Sequence, residues 1–507
     1  MPHVPLSYRV PFGWGLLKPR SLAGGPTGGK IVQSSTPDRL TGRPMKVLLI
    51  DPYEHDSAYG RVRFPLGAPS LGLAYLAAFL REGGVEVHIL DARGKALSLT
   101  DVTRFAQEFA PDIVGVTSTT PLFGNAIQIA KGVKEALPDV QLVMGGPHIT
   151  GQGAEVLEKW GFVDVLVLGE GESTLLDLAR ETPLASVTGI AYRQGGEVKV
   201  TPPRPLIEDL DSLPFPARDF YDAGDYAHPL YELYGKPMAT ILSTRGCPFQ
   251  CSFCSSRATF GRRVRYRSVD SVMAEVDLLI EKHGVKSLKF ADDTFALAKD
   301  RLTEICAELG KRGLPWIANA RVNTITEEMV ETMRDSGCRL LLFGLESGDQ
   351  FVLNEIMKGT TIEEMSEVLV WTDEAGIDTI GTFIIGAPSE TTKTAKATID
   401  LAKELPLTFA DFFILSPYPG TAIYEEMKRK GYMKEFEWTD VRAPKYGNPL
   451  VRLPNMSEEE LIMAQKRAYR QFYLRPRYVL RLLRTVDSWH RAKQYLKLGL
   501  SFLRLVR

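Results

Sequence analysis

Three cysteines within eight positions carry the chemistry of this chain. The segment STRGCPFQCSFCSS, residues 243–256, spaces them as Cys247-x3-Cys251-x2-Cys254. At that spacing a single loop can bring three thiolates around one metal centre. On a four-iron cubane they would leave one iron open to chelate a substrate-like ligand, whereas four thiolates would give a closed electron-transfer centre. A structural zinc site is the alternative. It wants four closed ligands, and no fourth Cys or His lies close in sequence, so one would have to come from afar. Cys306 and Cys338 sit in or beside helical stretches and read as small buried hydrophobes. Five cysteines in 507 residues make no disulfide framework. Their clustering points to metal chemistry in a reducing compartment, and a cytoplasmic location is expected.

The loop follows the first strand of a regular series. Strands are predicted at Ala239–Ser243, Ser287–Phe290, Trp316–Ala320, Leu340–Gly344, Thr379–Ile385 and Asp411–Leu415, each followed by a helical stretch. Six βα units over residues 237–440 make a partial barrel, whose chemistry belongs on loops at the carboxyl ends of the strands. Other candidates lie on the same rim. Asp292 and Asp293 follow the second strand and either face the site or cap the next helix. Arg321 ends the third strand, as a site residue or a surface ion pair. Glu346 and Ser347 follow the fourth, and Gly386 marks a close backbone approach after the fifth.

An earlier series occupies residues 45–186. Buried-type strands at Lys46–Ile50, Val85–Leu90, Asp112–Thr117, Gln141–Met144 and Asp164–Leu168 alternate with helices such as Leu71–Glu82 and Asn125–Leu137. This α/β pattern predicts a parallel, flavodoxin-like (Rossmann-like) sheet covered on both faces, with a ligand crevice at its carboxyl edge. No G-x-G-x-x-G follows the first strand, which weakens a dinucleotide reading. Residues 1–44, rich in Pro, Gly, Ser and Arg, read as a flexible leader, with Met45 a candidate start. Residues 187–236 read as a linker with a hairpin turning at Gly195–Gly196 and a Pro-rich connector. Residues 441–507 read as a helical, basic C-terminal region, with twelve Lys or Arg against one acid, Asp487, from Lys466 onward.

The cysteine spacing, at this place in a βα series, resembles the radical S-adenosylmethionine (SAM) superfamily. The likeness covers residues 236–440 and extends to FADDTF (290–295), GLESG (344–348) and GTFIIGAPSET (381–391). It implies a [4Fe–4S] cluster on Cys247, Cys251 and Cys254, with SAM contacts from Phe253, Asp292, Asp293, Arg321, Glu346, Ser347 and Gly386. The front domain resembles the cobalamin-binding domain of radical SAM enzymes that pair the two cofactors. Its strand ends carry LDARG, TSTTP, GGPHIT and GEGES, small and hydroxyl residues that leave room for a flat macrocycle. On that resemblance Asp91, Arg93, Thr117, Ser118, Thr119, Gly145, Gly146, His148, Gly169 and Glu170 are the cobalamin contacts. The usual D-x-H-x-x-G of such domains is departed from here: Arg93 stands where the cobalt-ligating His would be, and Ala96 where the closing Gly would be. His148 is then the alternative ligand, or a hydrogen-bonding loop residue.

The resemblance implies homolytic cleavage of SAM and functionalisation of an unactivated carbon. The first expectation is a radical C-methyltransferase. Oxidative cyclisation or carbon–carbon coupling, as in the anaerobic porphyrin-ring cyclases of this class, is the second, and a non-catalytic cobalamin or redox sensor the third. A formal net charge of −1 argues against a nucleic-acid binder. The expected partners are a small-molecule or lipid-like substrate and an electron donor such as flavodoxin or ferredoxin. The basic C-terminal helices either pack on the barrel or lie on a membrane surface.

Overall fold

The computed structural model describes residues 43–53, 68–222, 225–226, 231–441, 449–484, 489 and 492–496. The leader expected over 1–44 falls almost wholly outside this set, whereas Met45 is described and buried.

The front sheet is built from β1 (Lys46–Asp51), β2 (Glu86–Asp91), β3 (Ile113–Thr117), β4 (Gln141–Gly145) and β5 (Val165–Val167), with β6 (Ile190–Gln194) and β7 (Glu197–Val200). The order is β2-β1-β3-β4-β5-β6-β7. The first five strands run parallel in the expected flavodoxin-like arrangement. Alternate strand residues face opposite sides. Leu48, Ile50, Val114 and Val116 bury against the helices Leu99–Phe109 and Phe123–Ala136. Val47, Leu49, Ile89 and Val143 bury against Leu71–Glu82 and Glu172–Ala179. The hairpin read as part of the linker is corrected by its pairing. β6 runs antiparallel to β5, so the hairpin extends the front sheet and covers an edge that would otherwise be open.

The second sheet comprises β8 (Met238–Ile241), β11 (Ser287–Phe290), β12 (Trp316–Ala320), β13 (Cys338–Glu346), β14 (Asp378–Ile385) and β15 (Phe409–Ile414). They pair in parallel in the order β15-β14-β13-β12-β11-β8, and β8 does not pair with β15. This is the open partial barrel read from the sequence. A two-stranded ribbon, β9 (Thr244–Arg245) with β10 (Arg265–Tyr266), brackets the cysteine loop.

An open barrel leaves two edges whose backbone groups need partners. The helix Glu458–Tyr473, started by a Ser457–Glu460 capping box, supplies them at β15. Gln465 Nε2 donates to the Phe412 carbonyl at 2.8 Å, the Phe412 N–H donates to Tyr469 Oη, and Tyr473 Oη bonds both backbone groups of Ala410. Each bond contributes about 1 kcal/mol, and each group left bare in the core would cost more than that. At β8 the Arg218 guanidinium reaches the Thr240 carbonyl at 2.6 Å.

Part of the tail packs under the barrel. Tyr478 Oη donates to the Thr408 carbonyl, and Tyr495 joins Tyr234, Ile317, Leu340 and Ile380 near the amino ends of the strands. Leu480 and Trp489 stay exposed, Trp489 by 85%. Among the described residues no helix is long and apolar enough to cross a membrane.

Candidate functional site

The cysteine loop leaves β8 under strict control. Asp292 Oδ1, at the end of β11, accepts from the Ser243 N–H at 2.9 Å, the Thr244 N–H and Thr244 Oγ1 at 2.6 Å. Asp292 is fully buried, and burial pushes its carboxyl up to about 6 in spite of these donors. It does not cap the following helix, whose first turn has no side-chain cap; through Oδ1 it fixes the root of the loop, while Oδ2 is buried without a partner. Gly246 then turns the chain at φ +95, where an added Cβ would lie 2.3 Å from the Arg263 carbonyl oxygen.

Two backbone bonds hold the middle of the loop. Ser252 donates to the Ile356 carbonyl at 3.0 Å and accepts from the Ile423 N–H at 2.9 Å. Phe253 packs against Val352, Ile356 and Leu415, which fixes Cys254 beside it. Cys254 itself is exposed at the surface of the loop. Asp293, exposed, bonds Ser256 just beyond. Among the described residues no three His, Cys, Asp or Glu side chains are gathered into one metal-ligand group. Cys306 and Cys338 are buried, away from the loop, as expected.

The rim residues divide. Arg321, 5% exposed, donates to Cys251 Sγ at 3.3 Å. Glu346 adopts φ +67, a strained backbone for a non-glycine residue, at a register shift between β13 and β14. Its carboxylate pairs with Lys358 Nζ at 2.8 Å, both side chains being 7% exposed. Lys358 carries no sequence signal and was missed. Ser347 faces away from the rim, bonding Thr398 Oγ1 and the Asp349 N–H. Gly386, at φ +108, donates to the buried Glu390 carboxylate.

At the carboxyl edge of the front sheet, space remains around the small residues. Nothing lies within 4 Å of a Cβ built on Gly169, and Thr119 is exposed. Gly146, at φ +99, brings its backbone so close to Ser118 that a Cβ would sit 2.7 Å from the Ser118 carbonyl oxygen. Thr117 and Gly145 are half-buried beside it, and Ser118 is buried. Asp91 is occupied by the Gly94 N–H and by Tyr226 Oη at 2.5 Å. Arg93 pairs with Asp51 at 3.3 Å, and burial pushes the Asp51 carboxyl up to about 6. The cradle of small residues fits a flat ligand, and Arg93 offers no imidazole to a metal.

Two expectations for this edge are corrected. His148 is 1% exposed, stacked on Phe123, with Nδ1 at 3.1 Å from Thr120 Oγ1 and Nε2 at 2.8 Å from Gln152 Oε1. Both ring nitrogens are engaged, so it is a core residue and not a cobalt ligand. Glu170 turns away from the crevice. It accepts from Arg245 Nη1 and Arg265 Nη1, both at 2.8 Å, while Glu172 accepts from Arg245 Nη2 at 2.6 Å. Burial alone would raise the Glu170 carboxyl, but the bonds from Arg265 and Arg245 hold it below the usual range. These four buried side chains clamp the front domain onto the ribbon that brackets Cys247. Arg245, two residues before that cysteine, and Arg265 carried no signal that could have named their partners.

The model of the Radical SAM superfamily matches residues 241–402, and that of the B12 binding domain matches residues 61–179. An uncharacterized methyltransferase of Pyrococcus horikoshii is 36% identical over 443 residues, 86% of this chain and 94% of that one. The chain belongs to the B12-binding radical SAM enzymes. An anaerobic magnesium-protoporphyrin IX monomethyl ester cyclase of Rubrivivax gelatinosus is 31% identical over 85% of this chain and 78% of its own. Among solved structures, the cobalamin-dependent radical enzyme OxsB aligns with a TM-score of 0.70 over 90% of this chain and 71% of its own, at 18% identity. The radical SAM methyltransferase TsrM from Kitasatospora setae aligns at 0.64 over 85% and 82%, at 22% identity. Both likenesses are of fold. The enzyme family uses a [4Fe–4S] cluster, SAM and cobalamin, and the expected fold and cofactor set stand.

Proposed function

We propose that this enzyme transfers a methyl group to an unactivated carbon of a small-molecule substrate. In this reading Cys247, Cys251 and Cys254 hold the cluster. Phe253, Asp293, Arg321 and the Glu346–Lys358 pair line the SAM side, and Thr117, Thr119, Gly145, Gly146 and Gly169 cradle the corrin. When bound, the cofactors supply a carbon radical and a methyl carrier. The chain itself orients them and excludes water. The observation that carries the reading is the buried Glu170/Glu172–Arg245/Arg265 clamp, which ties the front domain to the cysteine loop. The relative named a methyltransferase supports methyl transfer, while the cyclase supports oxidative ring closure by the same machinery.

A flavodoxin or ferredoxin suits the required one-electron donor. The exposed Leu480 and Trp489, in a stretch with twelve Lys or Arg, suit contact with an anionic lipid surface. Co-sedimentation with anionic vesicles, lost when the exposed Leu480 and Trp489 are both replaced by Ser, is the expected result. Sedimentation that survives the double substitution refutes that contact.

The test of methyl transfer needs no substrate. Anaerobic, cluster-loaded enzyme is given reductant, hydroxocobalamin and SAM bearing a deuterated methyl group. Recovery of that group on the corrinoid, with 5′-deoxyadenosine also formed, is expected. Formation of 5′-deoxyadenosine without label on the corrinoid refutes methyl transfer and favours the cyclase-like reading.

A further inference from the structure

We propose that Arg321 tunes the iron–sulfur cluster, donating a hydrogen bond to the Cys251 sulfur and favouring the electron-rich state. The proposal rests on reading the cysteine loop as the cluster site.

The side chain is fixed at three points. Its guanidinium carbon lies 3.9 Å from the centroid of the Phe249 ring, on the cysteine loop itself. Its Nε donates to Asn323 Oδ1 at 2.7 Å, and Asn323 is in turn bonded to the Gly359 carbonyl. Nη1 donates to Cys251 Sγ at 3.3 Å. With stacking and Nε both satisfied, the planar fork cannot swing away without losing both contacts.

Charge gives the second argument. Arg321 is 5% exposed, and its guanidinium brings a positive charge to the loop. Among the described residues no Asp or Glu pairs with it, although Lys358 on the same rim has Glu346. A buried cation without a counter-charge is costly. A three-thiolate cubane supplies one: it is anionic when oxidised and gains a further negative charge on reduction. A positive charge and an N–H···S bond at one of its thiolates stabilise the reduced form more, and so raise the potential. Reduction adds one electron from an external donor. No bond forms or breaks at Arg321, and its protons stay in place.

The test is a redox titration of the full chain, reconstituted anaerobically and followed by electron paramagnetic resonance, without SAM or cobalamin. Dithionite and mediators set the potential. At the potential that half-reduces the wild type, Arg321→Met is expected to show a several-fold weaker reduced-cluster signal at equal iron and sulfide content. Arg321→Lys, which keeps the charge, should recover part of it. Phe249→Leu, which removes the stacking surface, should shift the midpoint the same way by less. A wild-type midpoint in Arg321→Met at full cluster content overturns the proposal. If that variant fails to hold a cluster, wild-type midpoints in both Arg321→Lys and Phe249→Leu overturn it instead. A wild type that shows no four-iron signal overturns the cluster reading as well, and is recognisable by its iron content alone.

Discussion

Glu170, just past the end of β5, and Arg245, two residues before the first cluster cysteine, meet at 2.8 Å with both side chains 4% exposed. Arg265, on the far side of the cysteine loop, closes on the same carboxylate. The loop is therefore gripped at both ends by one residue of the front domain. Breaking a buried pair leaves uncompensated charge, which costs about 3–5 kcal/mol. Glu170→Ala should lower the unfolding free energy by that order, measured by anaerobic urea titration, and reduce the iron retained after reconstitution. Hydroxocobalamin affinity should stay within about threefold, well under the tenfold that 1.4 kcal/mol would bring. A large loss of corrinoid affinity at full stability would restore Glu170 to the crevice.

Lys358 is the buried partner of Glu346, whose backbone is already strained. Lys358→Met strands that carboxylate, and a loss of about 3–5 kcal/mol is expected. Adding Glu346→Gln should return part of it, with a coupling of about 0.5–3 kcal/mol in a double-mutant cycle. Strict additivity would mean that the pair does not interact.

His148 contributes a pH dependence. Burial holds its imidazole down at about 4, against an ordinary 6.5, so it is neutral in the folded chain. As pH falls from 6.5 towards 4, the unfolded chain takes up a proton that the folded chain refuses. Stability is lost in that window, by at most about 1.4 kcal/mol per pH unit. His148→Leu should flatten the slope there while leaving hydroxocobalamin binding intact. His88, also held near 4, and the raised Asp51 and Asp292 titrate alike in both proteins, so the difference isolates His148.

The open edge of β15 depends on side chains from a single helix. Gln465→Ala would leave the Phe412 carbonyl buried without its donor, at a cost of about 1–3 kcal/mol. Urea unfolding should show a lower midpoint with an unchanged slope. An unchanged midpoint would mean that this carbonyl finds another donor.

Much of the site was legible because it is local. Cys247, Cys251 and Cys254 lie in one loop, and their spacing alone limits the chemistry they can share. Short apolar runs at regular intervals announced both sheets, and β11 and β12 fall on their expected residues. Glu170 was misplaced because its small and polar neighbours looked like a crevice, while its partners lie 75 and 95 residues away. His148 was misplaced for a related reason: the Phe123 ring and Thr120 that enclose it come from the start of another helix, more than twenty residues earlier in the chain.

Residue types and their intervals thus determined the strand series, the metal-binding loop and the absence of an imidazole at Arg93. Periodicity and short-range spacing are properties of the chain before it folds. Folding alone decided that Asp292 roots the loop, that Arg321 points at sulfur, and that Glu170 clamps two domains. A buried charged group must take whatever opposite charge or donor the packed chain brings within about 3 Å, and that choice is made across dozens of residues of separation.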